Sequence, residues 1–378
     1  MSKPCINPVW PCAMTGAASA LAGLTDVGVV IHGSSGCYFY ADMAVPDSLH
    51  STFLIQDEVI FGAEDRLLEV VDSLSCMYSK IAVINTCVPS VMGEDISGIL
   101  SDFDVIAIDP AGFSGDFDSG RDYALSKLDI KTDHGREGIN IDGICSLDPF
   151  HRGNLIEAKR LLDLCKIPVA ATFCRDTLES VRNPSPYSVS VNPDYSHQKY
   201  HNSDDLNLSI LGIDNVTDSF SKISELFPDK DAGKIFEEAE EADEVITKAG
   251  SKYLRKSDPP DVMIFGTESY VEFAAEHLKN TFDANIIFAG VRNGEPENTD
   301  FPSKKITDMQ ETKERILNER PDLIIGSSFE YAVSPDIPFV EMTFPIRHKV
   351  MLHNRPFAGI EGALSFTESV INSLNKKS

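Results

Sequence analysis

An α/β protein with mainly parallel sheets is what this sequence predicts, and three observations lead there. Short runs rich in Val and Ile alternate with amphipathic stretches of helical length, and the runs are apolar nearly throughout, as in strands covered on both faces. Two polar interruptions, Lys131 to Gly138 (KTDHGREG) and Ser251 to Pro260, which ends in Asp-Pro-Pro, divide the alternation into three series. The chain has 378 residues, more than one core normally serves. The expectation is three α/β domains over 1–135, 136–255 and 256–378. Ligands of open parallel sheets lie beyond the carboxyl ends of the strands, so three such domains facing one another would enclose a central cavity.

The first series has a helix of small residues at Thr15 to Leu24 and a β-branched strand at Val27 to Ile31 (VGVVI). An amphipathic helix at Glu64 to Tyr78 and strands at Lys80 to Asn85 (KIAVIN) and Asp104 to Ile108 (DVIAI) complete it. The second has strands at Ile139 to Ile144 and Pro168 to Phe173 around a helix at Leu155 to Cys165, and closes on a long helix, Ala232 to Lys256. The third has strands at Asp261 to Phe265, Asn285 to Ala289, Asp322 to Ile325 and Pro338 to Met342. Its helices are Ser269 to Lys279, Met309 to Asn318 and Phe366 to Asn375. The acidic run Glu237 to Glu244 (EEAEEADE) has the helical spacing of a solvated face.

Composition removes several classes of function. Hydrophobic residues are 42% and charged residues 24% of the chain, which is ordinary for a folded globular protein. A formal net charge of -26 excludes a general binder of nucleic acid or anionic membrane, which needs a basic face. No run reaches the roughly 18 apolar residues of a membrane span, and Pro4, Pro8 and Pro11 stand where a signal peptide places its apolar core. The expectation is a soluble cytoplasmic chain.

Missing motifs narrow the chemistry further. No phosphate-binding Gly-x-x-x-x-Gly-Lys-Ser/Thr occurs; the nearest, Ala232-Gly233-Lys234-Ile235, lacks the leading glycine and the hydroxyl. No Gly-x-Gly-x-x-Gly follows a strand, and there is no Gly-x-Ser-x-Gly elbow or His-Glu-x-x-His pair.

What remains is a set of cysteines. Eight are too sparse for a disulfide scaffold in a chain this long, and clustered thiols in a reducing compartment lean towards metal. Cys12, Cys37 and Cys87 each fall beside glycine or proline where an apolar run meets a turn, so three thiolates can be aimed into one space from the ends of rigid elements. Gly16, Gly33 and Gly36 would let backbone N–H groups approach the sulfurs. The competing reading is three small buried hydrophobes at sheet ends. Spacings of 25 and 50 residues are unlike a zinc ribbon or a bacterial ferredoxin. Cys76 and Cys165 read as core, Cys145 and Cys174 as packing at strand ends, and Cys5 as part of a frayed terminus.

With their neighbours, these stretches resemble the cluster-binding region of the nitrogenase component 1 family, in particular its β-type subunits. The residues are Cys12 with Gly16-Ala17, then His32-Gly33-Ser34-Ser35-Gly36-Cys37, then Thr86-Cys87 with Gly93-Glu94-Asp95. Further matches are Asp57 with Phe61-Gly62-Ala63, Asp109 to Gly115 (DPAGFSG), Asp322 to Gly326 (DLIIG), Phe344-Pro345-Ile346 and Gly359 to Ala363 (GIEGA). The resemblance implies three Rossmann-like domains with mainly parallel sheets around a central cavity. It also implies two subunits paired around iron-sulfur clusters and a separate ATP-hydrolysing iron-sulfur reductase as electron donor, in keeping with the missing phosphate loop.

Departures from the family pattern select a branch. The nitrogen-reducing subunit holds its large metallocluster through a cysteine and a histidine in the second half of the chain, whereas the last cysteine here is Cys174. The chain is short, like family members that reduce tetrapyrroles. It most resembles the homodimeric branch acting on a nickel tetrapyrrole, Ni-sirohydrochlorin a,c-diamide, on the way to the nickel hydrocorphin of methyl-coenzyme M reductase. That implies a 4Fe-4S cluster on Cys12, Cys37 and Cys87, reduction of ring double bonds and closure of a lactam ring. Reduction of another tetrapyrrole such as protochlorophyllide, and a non-catalytic scaffold for metallocluster assembly, are the alternatives. In a homodimer six thiolates would meet where a 4Fe-4S cluster needs four, so the residues leave the cluster type open.

A polycarboxylate substrate needs local cations, and arginine suits carboxylate geometry best. Arg347, His348, Lys349, His353 and Arg355 form a basic cluster between the last strand and the last helix, and Arg175 follows a strand end; these are the candidate substrate-binding residues. Asp57, Asp109, His151 and His348, each at a strand end or loop, are candidate proton donors. His32 is read as bracing a turn.

Overall fold

The computed structural model describes residues 9–109, 112–197, 206–294, 296 and 300–375. Three parallel sheets form its frame. The first contains β1 (Val27–His32), β2 (Leu49–Ser51), β3 (Lys80–Asn85) and β4 (Val105–Ile108) in the order β2-β1-β3-β4. Around it lie α1 (Ala13–Leu21), α2 (Ser35–Ala44), α3 (Gln56–Phe61), α4 (Glu64–Ser75), α5 (Cys87–Met92), α6 (Ile96–Ile99) and α7 (Phe117–Ser126).

The second sheet contains β5 (Ile139–Asp142), β6 (Val169–Thr172), β7 (Tyr187–Ser190) and β8 (Leu206–Ser209) in the order β6-β5-β7-β8. It carries α8 (His151–Leu164), α9 (Leu178–Arg182) and α10 (Ile213–Leu226). After α11 (Gly233–Leu254), the third sheet runs β11-β10-β9-β12-β13. Its strands are β9 (Asp261–Gly266), β10 (Asn285–Val291), β11 (Ser303–Lys305), β12 (Leu323–Gly326) and β13 (Phe339–Glu341). Its helices are α12 (Glu268–Phe282), α13 (Met309–Glu319), α14 (Ser328–Val333) and α15 (Gly359–Leu374).

Burial explains why the apolar runs became strands. All six residues of β1 are buried, as a strand between two helical layers requires. All nine residues of α1 are buried too, because α1 meets α7 backbone to backbone. A Cβ at Gly16 would overlap the Phe117 carbonyl, and one at Gly120 would overlap the Ala13 carbonyl, so only glycine permits that approach. On α11, Ile235, Ala239, Ala242, Ile246 and Gly250 make one buried stripe, and the carboxylates of the acidic run face away from it. One apolar core joins the second and third sheets. Another joins the first sheet to the ends of β5 and β6, with Cys145 and Cys174 in it.

The nine expected strands are present. Four further strands, β2, β7, β8 and β11, span only three or four residues each and have polar residues in sequence (LHS, YSVS, LNLS, SKK), so no continuous apolar run marks them. Helix α8 begins at His151 and α15 at Gly359, earlier than expected, because the polar turn HRGN and the glycines of GIEGA read as loop. Cys165 is buried as expected. Cys76 corrects its expected place in the core: it caps α4 and is exposed, two residues past the buried Leu74 and about 200° round the helix from it. Cys5 lies outside the described residues.

Candidate metal-cluster site

Adjacent parallel strands end side by side, so the turns at their carboxyl ends are neighbours in space. β1 and β3 pair along their whole length, with His32 opposite Asn85 at the carboxyl end. After the turn residues Gly33 and Ser34, α2 opens and places Cys37 in its first turn; α5 opens on Cys87 directly after Thr86. Cys12 stands immediately before α1 and bridges Asp116 at the start of α7. All three cysteines are half-buried.

Gly112 joins two of them. A Cβ built there would sit 3.0 Å from Cys12 Sγ and 3.4 Å from Cys87 Sγ, so the bare Cα leaves a cradle beside both sulfurs. Burial pushes the Cys87 thiol above its ordinary pKa and the neighbouring Cys37 and Cys12 thiols add to that, while the backbone N–H groups of Phe113 and Gly112 donate to the sulfur and oppose it. Among the described residues no group of three or more His, Cys, Asp or Glu side chains is arranged to hold a single metal ion. The thiols share a neighbourhood without converging on one point.

A brace of polar contacts fixes these turns. His32, wholly buried, meets Glu94 Oε2 through Nε2 at 2.9 Å and Thr52 Oγ1 through Nδ1 at 3.2 Å, and Glu94 also accepts from the Ala63 N–H at 2.7 Å. Burial holds His32 below its ordinary pKa against the opposing pull of Glu94. His32 therefore ties three turns together, as its place beside the glycines suggested. Around the cysteines the surface is apolar: Phe39, Met43, Ile55, Ile60, Phe61 (85% exposed), Val91 (78%) and Phe113 are all exposed, and they sit on α2, on α3 and the residue that caps it, on α5 and in the turn after β4.

A second feature lies where the three sheets approach one another. A cavity of about 380 Å³ is lined by Met43, Ala44 and Pro46 at the end of α2, by residues 146–149 and 151–153 at the start of α8, and by residues 344–347, 349, 351, 353 and 354 after β13. Of the expected substrate-binding residues, Arg347, Lys349 and His353 line it. Three do not. Arg175 is bound in an ion pair with Asp47 and donates to Ser146 Oγ at 3.0 Å. Arg355 and His348 line a separate cleft beside β13, where His348 stacks on Tyr331 at 4.0 Å and bonds Glu341 at 3.1 Å.

Among the expected proton donors, only His151 reaches the cavity. Asp57 is exposed in the first turn of α3, and Asp109 is exposed at the end of β4, accepting from Asn85 Nδ2 at 3.2 Å.

Comparison with known proteins decides the family. The model for nitrogenase component 1 type oxidoreductases matches residues 12–375. The chain belongs to that family. Its relatives include the nitrogenase molybdenum-iron protein beta chain of Methanococcus maripaludis, 22% identical, with 98% of this chain and 95% of the relative aligned. The nitrogenase iron-iron protein beta chain of Rhodobacter capsulatus is likewise 22% identical over 98% of this chain and 94% of the relative. The solved structure titled "Nitrogenase Cp1 at pH 6.5" superposes with a TM-score of 0.78 at 18% identity and covers all of this chain and 94% of its own, which establishes the fold.

Within this nitrogenase component 1 type chain, two of the expected glycine roles change. The Gly16 N–H donates within its helix to the Cys12 carbonyl at 3.1 Å, and its Cα faces Phe117. The Gly33 N–H donates to Thr52 Oγ1 at 3.0 Å, and a Cβ there would overlap Thr86 Oγ1. Both permit close packing rather than amide contact with sulfur. Gly36 faces open space, with only Ser34 Oγ near it at 3.8 Å. The amides on sulfur come instead from Gly112 and Phe113, inside the DPAGFSG stretch. Arg152, beside His151, is the cavity cation that sequence alone did not separate from other surface arginines.

Proposed function

We propose that this chain is the catalytic component of a nitrogenase-like reductive cyclase acting on Ni-sirohydrochlorin a,c-diamide. On this reading it works as a homodimer supplied with electrons by a separate ATP-hydrolysing iron-sulfur reductase. One observation carries the reading: the turns after β1 and β3 and the start of α1 bring three half-buried thiols into one neighbourhood, with those of Cys12 and Cys87 beside the bare Cα of Gly112.

The residues fit an iron-sulfur cluster. Thiolates are its ligands, amides on a ligating sulfur offset the charge it carries, and a bare Cα leaves room beside two of the sulfurs. Cys12, Cys37 and Cys87 would hold it, and when bound it supplies single-electron transfer. The chain's own part is to hold the thiols and to shape their surroundings. His32 and Glu94 fix the turns that aim Cys37 and Cys87. The exposed apolar residues on α2, α3 and α5 suit a face covered by a second copy, which would exclude water from the thiols. The nickel macrocycle as substrate rests on the sequence resemblance and on the cations beside α2, with no cysteine beyond Cys174 to hold a larger metallocluster.

Purified anaerobically and mixed with its reductase, ATP, dithionite and Ni-sirohydrochlorin a,c-diamide, the protein is expected to shift the visible spectrum of the nickel chromophore. An unchanged spectrum, with the reductase shown to be active, overturns the reading. Turnover by Cys37→Ser equal to wild type overturns the ligand assignment.

A further inference from the structure

The cavity between the three sheets has a charge opposite to that of the molecule around it. The chain's net charge is -26, yet the ionisable residues lining the cavity are Arg152, Arg347, Lys349, His353, His151 and a single acid, Asp148. That acid is already engaged: Asp148 accepts from Tyr270 Oη at 2.6 Å, from the Phe150 N–H at 2.8 Å and from Asn154 Nδ2 at 3.2 Å. Among the described residues neither Arg152 nor Arg347 has a carboxylate partner; the Arg347 guanidinium meets only Met43 Sδ at 4.0 Å. Lys349 shares Glu341 at 3.1 Å. Two unpaired guanidiniums at one opening present fork-shaped donors of the kind that take carboxylates.

His151 adds an independent sign of a ligand. Its side chain is 6% exposed, and its Nδ1 lies 2.6 Å from the Asp148 carbonyl oxygen, which can only accept. The ring proton of the neutral imidazole is therefore on Nδ1. Nε2, buried at the cavity wall, has no partner. A buried polar atom without a partner costs free energy unless something met in function supplies one. The floor here is also the first turn of α8, a 14-residue helix whose positive end favours an anion.

We infer that this cavity binds a polycarboxylate, whose acid groups are taken by Arg152 and Arg347 and one of which accepts a hydrogen bond from His151 Nε2–H.

The protonation of His151 responds to the ligand. In the free protein burial holds its pKa down to about 4, against the Asp148 carbonyl, with Arg175 and Arg152 adding to the lowering and Asp47 opposing it. Asp148, Arg347, Lys349 and His353 complete the charged groups around the cavity. A carboxylate placed against Nε2 favours the imidazolium, so binding is accompanied by proton uptake and places an acidic hydrogen at the ligand's edge. The site also lies close to the thiols: Cys37 and Ala44 are both on α2, and seven residues of helix span about 10 Å. The inference rests on the function proposed above, since a sirohydrochlorin derivative carries several carboxylates. It also gives His151 a place beside the macrocycle as a proton donor.

The test uses binding without turnover. Uroporphyrin, an octacarboxylate macrocycle, is titrated by absorbance against the full-length protein, with a tetracationic porphyrin as control; net charge alone would favour the cation. Uroporphyrin is expected to bind, and Arg152→Gln/Arg347→Gln, both exposed positions, to weaken it at least ten-fold. Calorimetry in two buffers of different ionisation heat at pH 6 is expected to show net proton uptake by wild type that is smaller in His151→Gln; equal uptake by the two overturns the role of His151. Absent uroporphyrin binding, or equal affinity in the double variant, overturns the cavity assignment even where the nickel compound is turned over. Binding through the two arginines with no turnover upholds the cavity and counts against the reductive cyclase instead.

Discussion

The thiol pocket and the cavity are about one short helix apart, yet they are built in opposite ways. The pocket is local: its cysteines, its amide donors and its bracing residues all fall within the first sheet and its connections, between Cys12 and Phe113. Its rim is apolar and exposed. The cavity draws on residues near positions 45, 150 and 350, one group from each sheet's surroundings, and is lined by cations. Parallel strands that end side by side make a site from neighbouring turns, whereas a space between domains exists only after all three have docked.

If the two are separate, each should fail alone. Cys37→Ser is expected to lose most of the iron bound by anaerobically purified protein, read by metal analysis, while uroporphyrin affinity changes less than two-fold. Loss of both together would show one site rather than two. A charge placed on the apolar rim tests what covers it: Phe61→Glu/Val91→Glu, at the two most exposed apolar positions of α3 and α5, should raise the dimer dissociation constant about 100-fold, roughly 3 kcal/mol. Sedimentation showing the wild type already monomeric, or the variant still dimeric, removes the second copy from that face.

The cavity has its own pH signature in the free protein. Because the folded pKa of His151 is depressed to about 4 from 6.5, the folded state binds fewer protons than the unfolded one between those values, so stability falls as pH drops from 6.5 towards 4. By pH 5 this amounts to about 2 kcal/mol. Asp148, raised by burial to about 6, runs the other way over 3.8 to 6. The difference between wild type and His151→Gln in denaturant melts isolates the histidine: the variant should lose less stability on acidification. At the small end, Cys76→Ser at the exposed end of α4 should change stability by less than about 0.5 kcal/mol and leave bound iron unchanged.

Legibility in the sequence divides along the same line. Val27 to Ile31 and Lys80 to Asn85 announce buried parallel strands because every residue is apolar or nearly so, and the cysteines after them are marked by the turns they occupy. The short strands Leu49–Ser51 and Ser303–Lys305 carry no such run. Gly112 showed no role because its use depends on the sulfurs of Cys12 and Cys87, both far earlier in the chain. Arg175 looked free until Asp47 came to meet it from the first sheet, while Arg152 looked like any surface arginine until the segment after β13 closed the cavity beside it. Cys76 was misplaced by reading helical position without the face it occupies.

The central claim is that Cys12, Cys37 and Cys87 together hold an iron-sulfur cluster. It is tested most directly by anaerobic purification of wild type and the Cys12→Ser/Cys37→Ser/Cys87→Ser variant, with iron and acid-labile sulfide measured per chain and the dithionite-reduced electron paramagnetic resonance spectrum recorded. The account predicts iron and sulfide in near-equal amounts and a reduced-cluster signal in wild type, with all three lost in a variant that keeps its circular dichroism. The same iron, sulfide and signal in the triple variant would contradict it.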